Sequence, residues 1–534
     1  MIKSRKLLPF MPVAVLVILA AALLYLSYDP KTDKAEAGQA GKPKTLRIIW
    51  TNDTHGYLSP LYHKEPEEGN YLDIAMKEGK IGGWANLATL IKKYRAEMPG
   101  KTILLDAGDT WHGTGVALFT RGSAIVKVMN ALKYDAMTPG NVDFLYPKEV
   151  FLKRVEESEF PVIAANIYDK EWDEPDFEQY IIKEVNGLKV AIIGMTYHWS
   201  AKTGKRENTQ GWSFGLREDQ VRELIKEIRE KQKPDLVVLL SHMGYRVDRK
   251  YPTRVKGIDV VVGAHTHDNV YKPPVIDGTI VVQAGSHGKF IGKLDLKIKD
   301  GKVVGFDHEI IRVVDKDVPD DKEIQKIIRD EYAPFAEKLK KIIGRTKTLI
   351  YRRATYQSTM DNLITDAYRE MYGADVSFSP SWRFGLTVLP GEITVEDVYG
   401  MVPTNEPIMT FELKGNNIKF ALESAVENVV AEEPYEQLGG DLVRFSGMEV
   451  IIDETKPFRK RVVSLRIGGK LYDPEKMYKI VTANTQMPNV PTAQNVKNTG
   501  KVAVEELIRY IENKKVIAPK LDGRVKIAKK KEGR

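Results

Sequence analysis

The chain has 534 residues, too many for one hydrophobic core, so its length predicts two domains. It contains no cysteine, which excludes disulfides, thiolate metal ligands and a cysteine nucleophile. The net charge is +8, but part of it lies at the two ends of the chain, and no basic stripe interleaves with aromatic residues. The composition therefore argues against a nucleic-acid polymer as partner.

The first 28 residues combine a basic start with a long apolar run. Three basic residues precede residues 7–28, which carry no charge and are about long enough to span a bilayer. The basic flank is expected to stay inside, so that the rest of the chain faces outward. Residues 1–28 are therefore predicted to be an uncleaved membrane anchor, with a cleaved signal peptide as the alternative. Both predict an exported protein, periplasmic or otherwise extracytoplasmic.

Residues 29–43 are small and polar and are predicted to be a linker. Between residues 44 and 318, short apolar runs alternate with helical stretches, which is typical of buried strands in an α/β domain. Most of these runs end in polar residues, and ligands of such sheets gather at the carboxyl ends of strands. The predicted strands are 46–50, 102–105, 190–193, 236–240, 259–262 and 279–282.

Apolar residues recur at three- and four-residue spacing between residues 320 and 343, which predicts a linker helix within 319–344 that ends at Gly344. A second domain is predicted over residues 345–526, with a helix over residues 359–372 and several strands. Residues 527–534 are predicted to be a basic tail.

Five short segments carry Asp, Asn and His side chains, and four of them directly follow a predicted strand: 51–56, 108–111, 140–141, 241–244 and 263–268. Alternation along extended backbone would put Asp53 and His55 on one side, and likewise His265 and His267. Carboxylate oxygen and imidazole nitrogen suit manganese, zinc or iron. Seven ligands are too many for one ion, so the sequence predicts two divalent ions, manganese in the first place, held by Asp53, His55, Asp109, Asn141, His242, His265 and His267.

The order of these motifs resembles the calcineurin-like metallophosphoesterases, in the branch that contains the 5′-nucleotidases. The resemblance covers about residues 46–525 and includes residues 361–367 and 389–397 of the second domain. It implies a four-layer α/β metallophosphoesterase β-sandwich flanked by helices, followed by a smaller α/β substrate-binding domain. It places Asn166 near the substrate. It also implies one ion on Asp53, His55, Asp109 and His267 and a second on Asp109, Asn141, His242 and His265, with Asp109 as the bridge.

Three departures separate the chain from the nucleotidase pattern. After the metal-binding Asn, nucleotidases carry a His and, three residues later, an Asp, which form a catalytic dyad; here Val142 and Leu145 stand at these positions. Leu442 stands where a Phe that stacks on the base is expected. A late Gly-Gly-Asp-Gly stretch has no counterpart after residues 482–488. A nucleoside is therefore expected to be held weakly.

Other stretches of the chain resemble the thiosulfohydrolases of the bacterial Sox sulfur-oxidation system, which also lack the dyad. These stretches are residues 60–66, 82–88, 108–113, 119–122, 379–385 and 434–444. Asn141 departs from that branch and is nucleotidase-like. The resemblance implies a metal-bridged hydroxide that releases sulfate from a cysteine S-sulfonate on a sulfur-carrier protein. Because a simple thiol titrates near about 8.5, a sulfur leaving group needs less protonation than an alkoxide.

Several residues are candidates for contact with the substrate. Arg383 and Arg444 are predicted to grip its anionic group, because guanidinium groups match such oxygens; surface ion pairs are the alternative. Trp111 and Trp382 are candidates for the wall of the access channel, with core packing as the alternative, and Asp441 is a weaker candidate.

Two other functions stay open. One is an exported 5′-nucleotidase or nucleotide-sugar phosphoesterase that acts on a small nucleotide. The other is a non-catalytic metal-binding surface protein, against which the complete ligand set argues.

Overall fold

The computed structural model describes residues 42–531, and residues from Lys44 onward form one compact unit. The predicted anchor or signal peptide, nearly all of the predicted linker and the last three residues of the basic tail lie outside the described residues. Within residues 42–531, no helix combines the length and the apolar character that crossing a membrane requires.

The first lobe is built from strands and helices that alternate along the chain. Its strands are β1 (Lys44–Thr51), β2 (Thr102–Asp106), β3 (Ala136–Met137), β4 (Ile167–Asp169), β5 (Tyr180–Val185), β6 (Leu188–Met195), β7 (Trp212–Phe214), β8 (Leu236–Ser241), β9 (Val260–Gly263), β10 (Val275–Ile276), β11 (Thr279–Gln283), β12 (Phe290–Lys299) and β13 (Lys302–Arg312). Its helices are α1 (Tyr71–Glu78), α2 (Trp84–Glu97), α3 (Gly115–Thr120), α4 (Ser123–Leu132), α5 (Lys148–Glu157), α6 (Ser200–Thr203), α7 (Glu218–Lys231) and α8 (Tyr245–Arg254). Short 3-10 turns lie at Asp143–Leu145, Arg206–Thr209 and Asp315–Asp317. All six predicted strands are confirmed.

Two sheets stack face to face in this lobe, with strand orders β13-β12-β1-β2-β3 and β10-β11-β9-β8-β6-β5. Strands β1, β2 and β3 are parallel, as are β6, β8, β9 and β11. Apolar side chains of the two inner faces, such as Ile48 and Val238, pack into one buried layer. Helices α2 and α4 cover the outer face of the first sheet, and α7 and α8 cover that of the second. The four-layer α/β architecture is therefore confirmed.

The second lobe has smaller sheets and its own buried core. Its strands are β14 (Ile342–Thr346), β15 (Val376–Ser379), β16 (Gly391–Thr394), β17 (Pro407–Lys414), β18 (Arg444–Ser446), β19 (Met448–Asp453), β20 (Val462–Ile467), β21 (Lys470–Leu471), β22 (Met477–Thr482), β23 (Gln494–Val502), β24 (Val516–Ile517) and β25 (Val525–Lys529). The helices from the connection onward are α9 (Lys322–Tyr332), α10 (Ala336–Leu339), α11 (Thr359–Tyr372), α12 (Val395–Met401), α13 (Gly415–Val430) and α14 (Ala503–Lys514). Its main sheet has the order β18-β15-β22-β17-β23.

The predicted linker helix is shorter than expected. It is interrupted by a 3-10 turn at Ala333–Phe335, where Pro334 has no N–H to donate and its ring obstructs a continuous helix. Helix α10 then ends at Leu339, and Ile342 and Gly344 lie in β14, where they pair with β16. The prediction that Gly344 ends a helix was wrong. The helix predicted over residues 359–372 is confirmed as α11, capped by the Ser358 hydroxyl.

Candidate metal centre

Six of the seven predicted ligands meet in two buried groups at the carboxyl ends of parallel strands. Within each group, the candidate ligand atoms lie within 4.8 Å of one another. Each group takes residues from both sheets, because the strands before them run toward the same edge. The first group is Asp53, His55 and His267; the second is Asp109, His242 and His265.

The backbone that carries these ligands is turned rather than extended. Asp53, His55, His265 and His267 have φ angles of 51°, 49°, 73° and 61°, in the left-handed region. The expectation that alternation aligns them was wrong, although the side chains do converge. Such conformations cost on the order of 1 kcal/mol or more each and cluster at functional sites. The turns are fastened to each other, because the backbone N–H of His265 donates to Asp53 Oδ2 at 2.9 Å.

In the first group, two imidazoles present ring nitrogens to each other. His55 Nε2 lies 3.0 Å from His267 Nε2, and His267 Nε2 lies 3.3 Å from Asp53 Oδ1. Burial lowers the pKa of His55 to about 3, and it lowers the pKa of His267 well below its usual value. Neutral imidazoles are the form that binds metal, so the three atoms offer lone pairs to one cation.

In the second group, a backbone carbonyl orients His242. His242 Nδ1 lies 2.6 Å from the carbonyl oxygen of Ala107, which leaves Nε2 to face Asp109 Oδ2 at 3.2 Å. Burial alone would lower the pKa of His242, but the carboxylates of Asp109 and Asp53 raise it to about 10. The pocket thus attracts positive charge at Nε2. A carbonyl on the far nitrogen is the usual support of a metal-binding His.

Asn141 is the seventh predicted ligand. Its Oδ1 is buried and has no hydrogen-bond partner within the described residues. The preceding Gly140 packs tightly between two candidate ligands. A Cβ atom added to this glycine would lie 2.1 Å from Asp109 Oδ1 and 2.6 Å from His242 Cε1. An orphaned amide oxygen beside Asp109 and His242 fits a metal ligand.

The donor set fits two divalent ions, which when bound activate water and neutralise the charge of an attacked oxyanion. The two groups adjoin, since Asp53 Oδ1 lies 3.8 Å from His242 Nε2. The division of the seven ligands between the ions, and Asp109 as their bridge, stay predictions.

Asp143 holds the Asp109 turn in place, a role that the sequence did not indicate. Its two carboxylate oxygens accept four backbone N–H groups at 2.8–3.0 Å, from Asp109, Thr110, Trp111 and Gly140. Burial raises its pKa to about 7, and the neighbouring Asp109 acts in the same direction. An acid two residues after the metal-binding Asn was the available signal, but its backbone partners are set by the fold.

Aromatic rings stack on two of the candidate histidine ligands. Phe384 stacks on His55 with ring centroids 4.3 Å apart, and Tyr197 stacks on His265 at 3.9 Å. His287 packs against His55 and accepts a hydrogen bond from the backbone N–H of Gly385 at Nε2, at 3.1 Å. Residues of the second lobe, Phe384 and Gly385, therefore buttress the metal-binding turns.

A cleft of about 200 Å³ opens beside the centre, between the two lobes. Thr266 lies in its wall, between two candidate ligands, and Arg383 faces it from the second lobe. Arg383 donates to the carbonyl oxygen of His265 at 3.2 Å, and its Nε lies 3.8 Å from Asp441 Oδ2. Arg353 also lines the cleft. Of the predicted substrate residues, Arg383 and Asp441 thus lie in the wall of this cleft.

The other predicted substrate residues have partners of their own. The Arg444 guanidinium faces Asp361 Oδ2 at 3.1 Å and donates to the Thr355 carbonyl at 2.9 Å. The amide nitrogen of Asn166 donates to two backbone carbonyls, at 2.8 and 2.9 Å. Trp111 is fully buried in the core, and Trp382 packs over a buried arginine at 5.3 Å. These contacts favour packing roles, and the substrate roles stay predictions.

The fold and the two ligand groups together define a metal-dependent hydrolase. The profile of the calcineurin-like phosphoesterases matches residues 46–269, and that of the 5′-nucleotidase C-terminal domain matches residues 342–490. The chain belongs to the 5′-nucleotidase family of calcineurin-like phosphoesterases, which confirms the resemblance found in the sequence.

Individual relatives match along nearly the whole chain. The 5′-nucleotidase of Vibrio cholerae is 26% identical and covers 93% of this chain and 95% of its own length. The structure is similar to that of the sulfate thiohydrolase SoxB of Thermus thermophilus, with 27% identity, a TM-score of 0.86, and coverage of 92% of this chain and 98% of that one. A 5′-nucleotidase precursor of the same species has 25% identity, a TM-score of 0.79 and coverage of 90% and 99%.

Proposed function

We propose that this dimetal hydrolase is of the thiosulfohydrolase type and releases sulfate from a cysteine S-sulfonate presented by a sulfur-carrier protein. The observation that carries the proposal is the chemistry of the loop after Asn141. No group on that loop is free to protonate a leaving group. The likeness to the sulfate thiohydrolase of Thermus thermophilus supports the same reading.

Val142 and Leu145 lie at the two ends of a single turn. The Leu145 N–H donates to the Val142 carbonyl at 3.1 Å, and residues three apart in a 3-10 turn lie on one side. A His and an Asp there would face each other, but both residues are apolar. The one ionisable side chain of the loop, Asp143, already accepts four backbone N–H groups. The loop thus holds Asp109 without supplying an acid.

A sulfur leaving group makes such an acid dispensable. In hydrolysis of a cysteine S-sulfonate, the oxygen of water bonds to the sulfonyl sulfur and the sulfur–sulfur bond breaks. Sulfate and a thiolate result, and the two protons of the water pass to solvent. A thiol titrates near about 8.5, so the thiolate leaves with little help. The alkoxide of a nucleotide is far more basic and gains from a general acid.

The size of the cleft supports a small anionic head group. Its volume of about 200 Å³ lies below the roughly 300–1,000 Å³ of typical small-molecule pockets. Leu442, at the expected position of a base-stacking Phe, is fully buried in the core of the second lobe. Arg383 and Arg353 are the cations on the cleft wall that can meet a sulfonate.

The proposal is tested by comparing two substrates on the manganese-loaded full-length chain. A peptide that carries cysteine S-sulfonate should release sulfate, measured by ion chromatography, and AMP should release little phosphate. The double variant Val142→His/Leu145→Asp should raise AMP turnover, whereas Val142→Leu/Leu145→Asn, which adds no acid, should not. Efficient AMP turnover by the unaltered chain, with no sulfate release, would reject the proposal.

A 5′-nucleotidase or nucleotide-sugar phosphoesterase is the second candidate. It is favoured by Asn141, which is nucleotidase-like, and by the printed names of the curated relatives, including those of Vibrio cholerae and Homo sapiens. The same two-substrate assay separates the two candidates. The non-catalytic alternative has no support from a family of hydrolases.

We also propose that the chain is exported and anchored by residues 1–28, on the evidence of their basic start and uncharged run. Fractionation of cells tests this. The full chain should sediment with membranes, and a chain lacking residues 1–28 should stay in the cytosol; equal distribution of the two would contradict the proposal.

A further inference from the structure

A second cavity, of about 560 Å³, lies where three parts of the chain meet. Its walls come from the segment 56–62, from helix α9 with the turn after it, and from the segment around α12. It shares no lining residue with the cleft beside the metal centre. Its volume is that of a typical small-molecule site.

Most of the buried side chains that line this cavity are apolar, and one buried hydroxyl among them is unpaired. Leu58, Leu61, Val116 and Ile328 line it and are buried. Tyr57 also lines it and is 5% exposed, and its hydroxyl is buried without a hydrogen-bond partner in the described part of the chain. A buried hydroxyl without a partner is destabilising, so a bound acceptor atom at this point would be stabilising.

The mouth of the cavity is cationic. Lys80, Arg329 and Lys340 line it, are exposed, and form no ion pair within residues 42–531. The acidic side chains that face them are Glu396 and Asp397. Glu396 accepts a hydrogen bond from the Tyr332 hydroxyl at 2.8 Å, and Asp397 accepts one from the backbone N–H of Thr394, the N-cap of α12, at 2.7 Å. Three cations without ion-pair partners thus stand against two carboxylates that have partners.

We propose that this cavity is a second ligand site, which binds an amphipathic organic anion. The apolar or aromatic body of the ligand lies against Leu58, Leu61 and Ile328, where its burial is favourable. Its anionic group lies at the mouth, near Arg329 and Lys340. A bound ligand contacts Gly56 and Tyr57, which directly follow the candidate ligand His55. The site is therefore next to the hydrolytic centre without being part of it.

The experiment uses the full-length manganese-loaded chain and 2-naphthalenesulfonate, a flat apolar ring system with one negative charge. Isothermal titration calorimetry should show binding of one equivalent, and the cationic analogue 2-naphthylmethylammonium should not bind. Arg329→Glu/Lys340→Glu should weaken binding at least about tenfold through charge repulsion at the mouth. Gln325→Trp, which fills the cavity from α9, should abolish binding.

The matched control is Lys322→Glu/Lys326→Glu, which makes the same change of net charge at exposed positions of α9 that do not line the cavity. It should bind like the unaltered chain, and all variants should keep their melting temperature. Absence of binding, equal binding by the mouth variant and the control, or displacement by excess inorganic phosphate would overturn the proposal. Displacement by phosphate would locate the probe in the metal-side cleft instead.

Discussion

The two walls of the active cleft are built in different ways. The metal-side wall consists of short turns that directly follow parallel strands, and its side chains hold one another through Asp143 and Asp53. The opposite wall consists of long loops of the second lobe, in which Arg383 has Asp441 and backbone carbonyls as partners. The candidate metal ligands thus lie at strand ends, and the residues that face them lie on loops, where binding residues are common.

Loss of the predicted bridging ligand should have the largest effect. Asp109→Ala removes a carboxylate that faces His242 Nε2 at 3.2 Å. We expect at least about a thousandfold loss of turnover on both AMP and S-sulfonate, because several kcal/mol of charge stabilisation disappear. Turnover and bound manganese are measured together. Asp307→Ala, at an exposed position, serves as the control; full metal occupancy in Asp109→Ala would argue that Asp109 is not a ligand.

The metal-side wall should also be sensitive to one added methyl group. Gly140→Ala places a Cβ 2.1 Å from Asp109 Oδ1 and 2.4 Å from the Asp109 nitrogen. Manganese affinity should fall about a hundredfold, as for other defects in the support of metal ligands. Gly69→Ala, where a Cβ meets nothing within 4 Å, is the matched control. If both variants bind manganese alike, the turn is less rigid than its contacts indicate.

Two arginines of the second lobe should affect different properties: one should affect substrate binding and the other the stability of the fold. Arg383→Lys should raise KM about tenfold and leave the melting temperature unchanged, since the guanidinium faces the open cleft. Arg444→Met should instead cost about 3 kcal/mol of unfolding free energy, because it breaks a buried ion pair with Asp361. Steady-state kinetics and urea unfolding measure the two effects. The reverse result would exchange the roles of the two arginines.

The smallest effect should come from an aromatic support. Tyr197 stacks on His265 at a centroid distance of 3.9 Å and an angle of 26°. Tyr197→Leu should weaken manganese binding about fivefold, which corresponds to the worth of one such ring contact. Tyr197→Phe keeps the ring and should bind like the unaltered chain. Equal losses in the two variants would assign the effect to the hydroxyl, which lies 3.3 Å from the Gln437 carbonyl.

The sequence predicted those features that are determined by residues close together in the chain. The buried strands β1, β2, β8 and β9 are short apolar runs, and the ligands follow them within a few residues. The left-handed turns were not predictable, because the contact that fastens Asp53 to His265 joins residues 212 positions apart in the chain. The role of Asp143 depends on backbone groups of a turn more than thirty residues earlier in the sequence. The break at Pro334 was visible in the sequence but masked by the apolar periodicity around it.

All seven candidate ligands lie in the first half of the chain, up to His267 of 534 residues. The candidate metal ligands and the second-lobe wall of the cleft are thus encoded by separate stretches of the gene. Mutations in the second stretch can change that wall while the seven candidate donor side chains stay the same. Descendants of one ancestor can therefore change the shape of the cleft while the candidate metal centre stays intact.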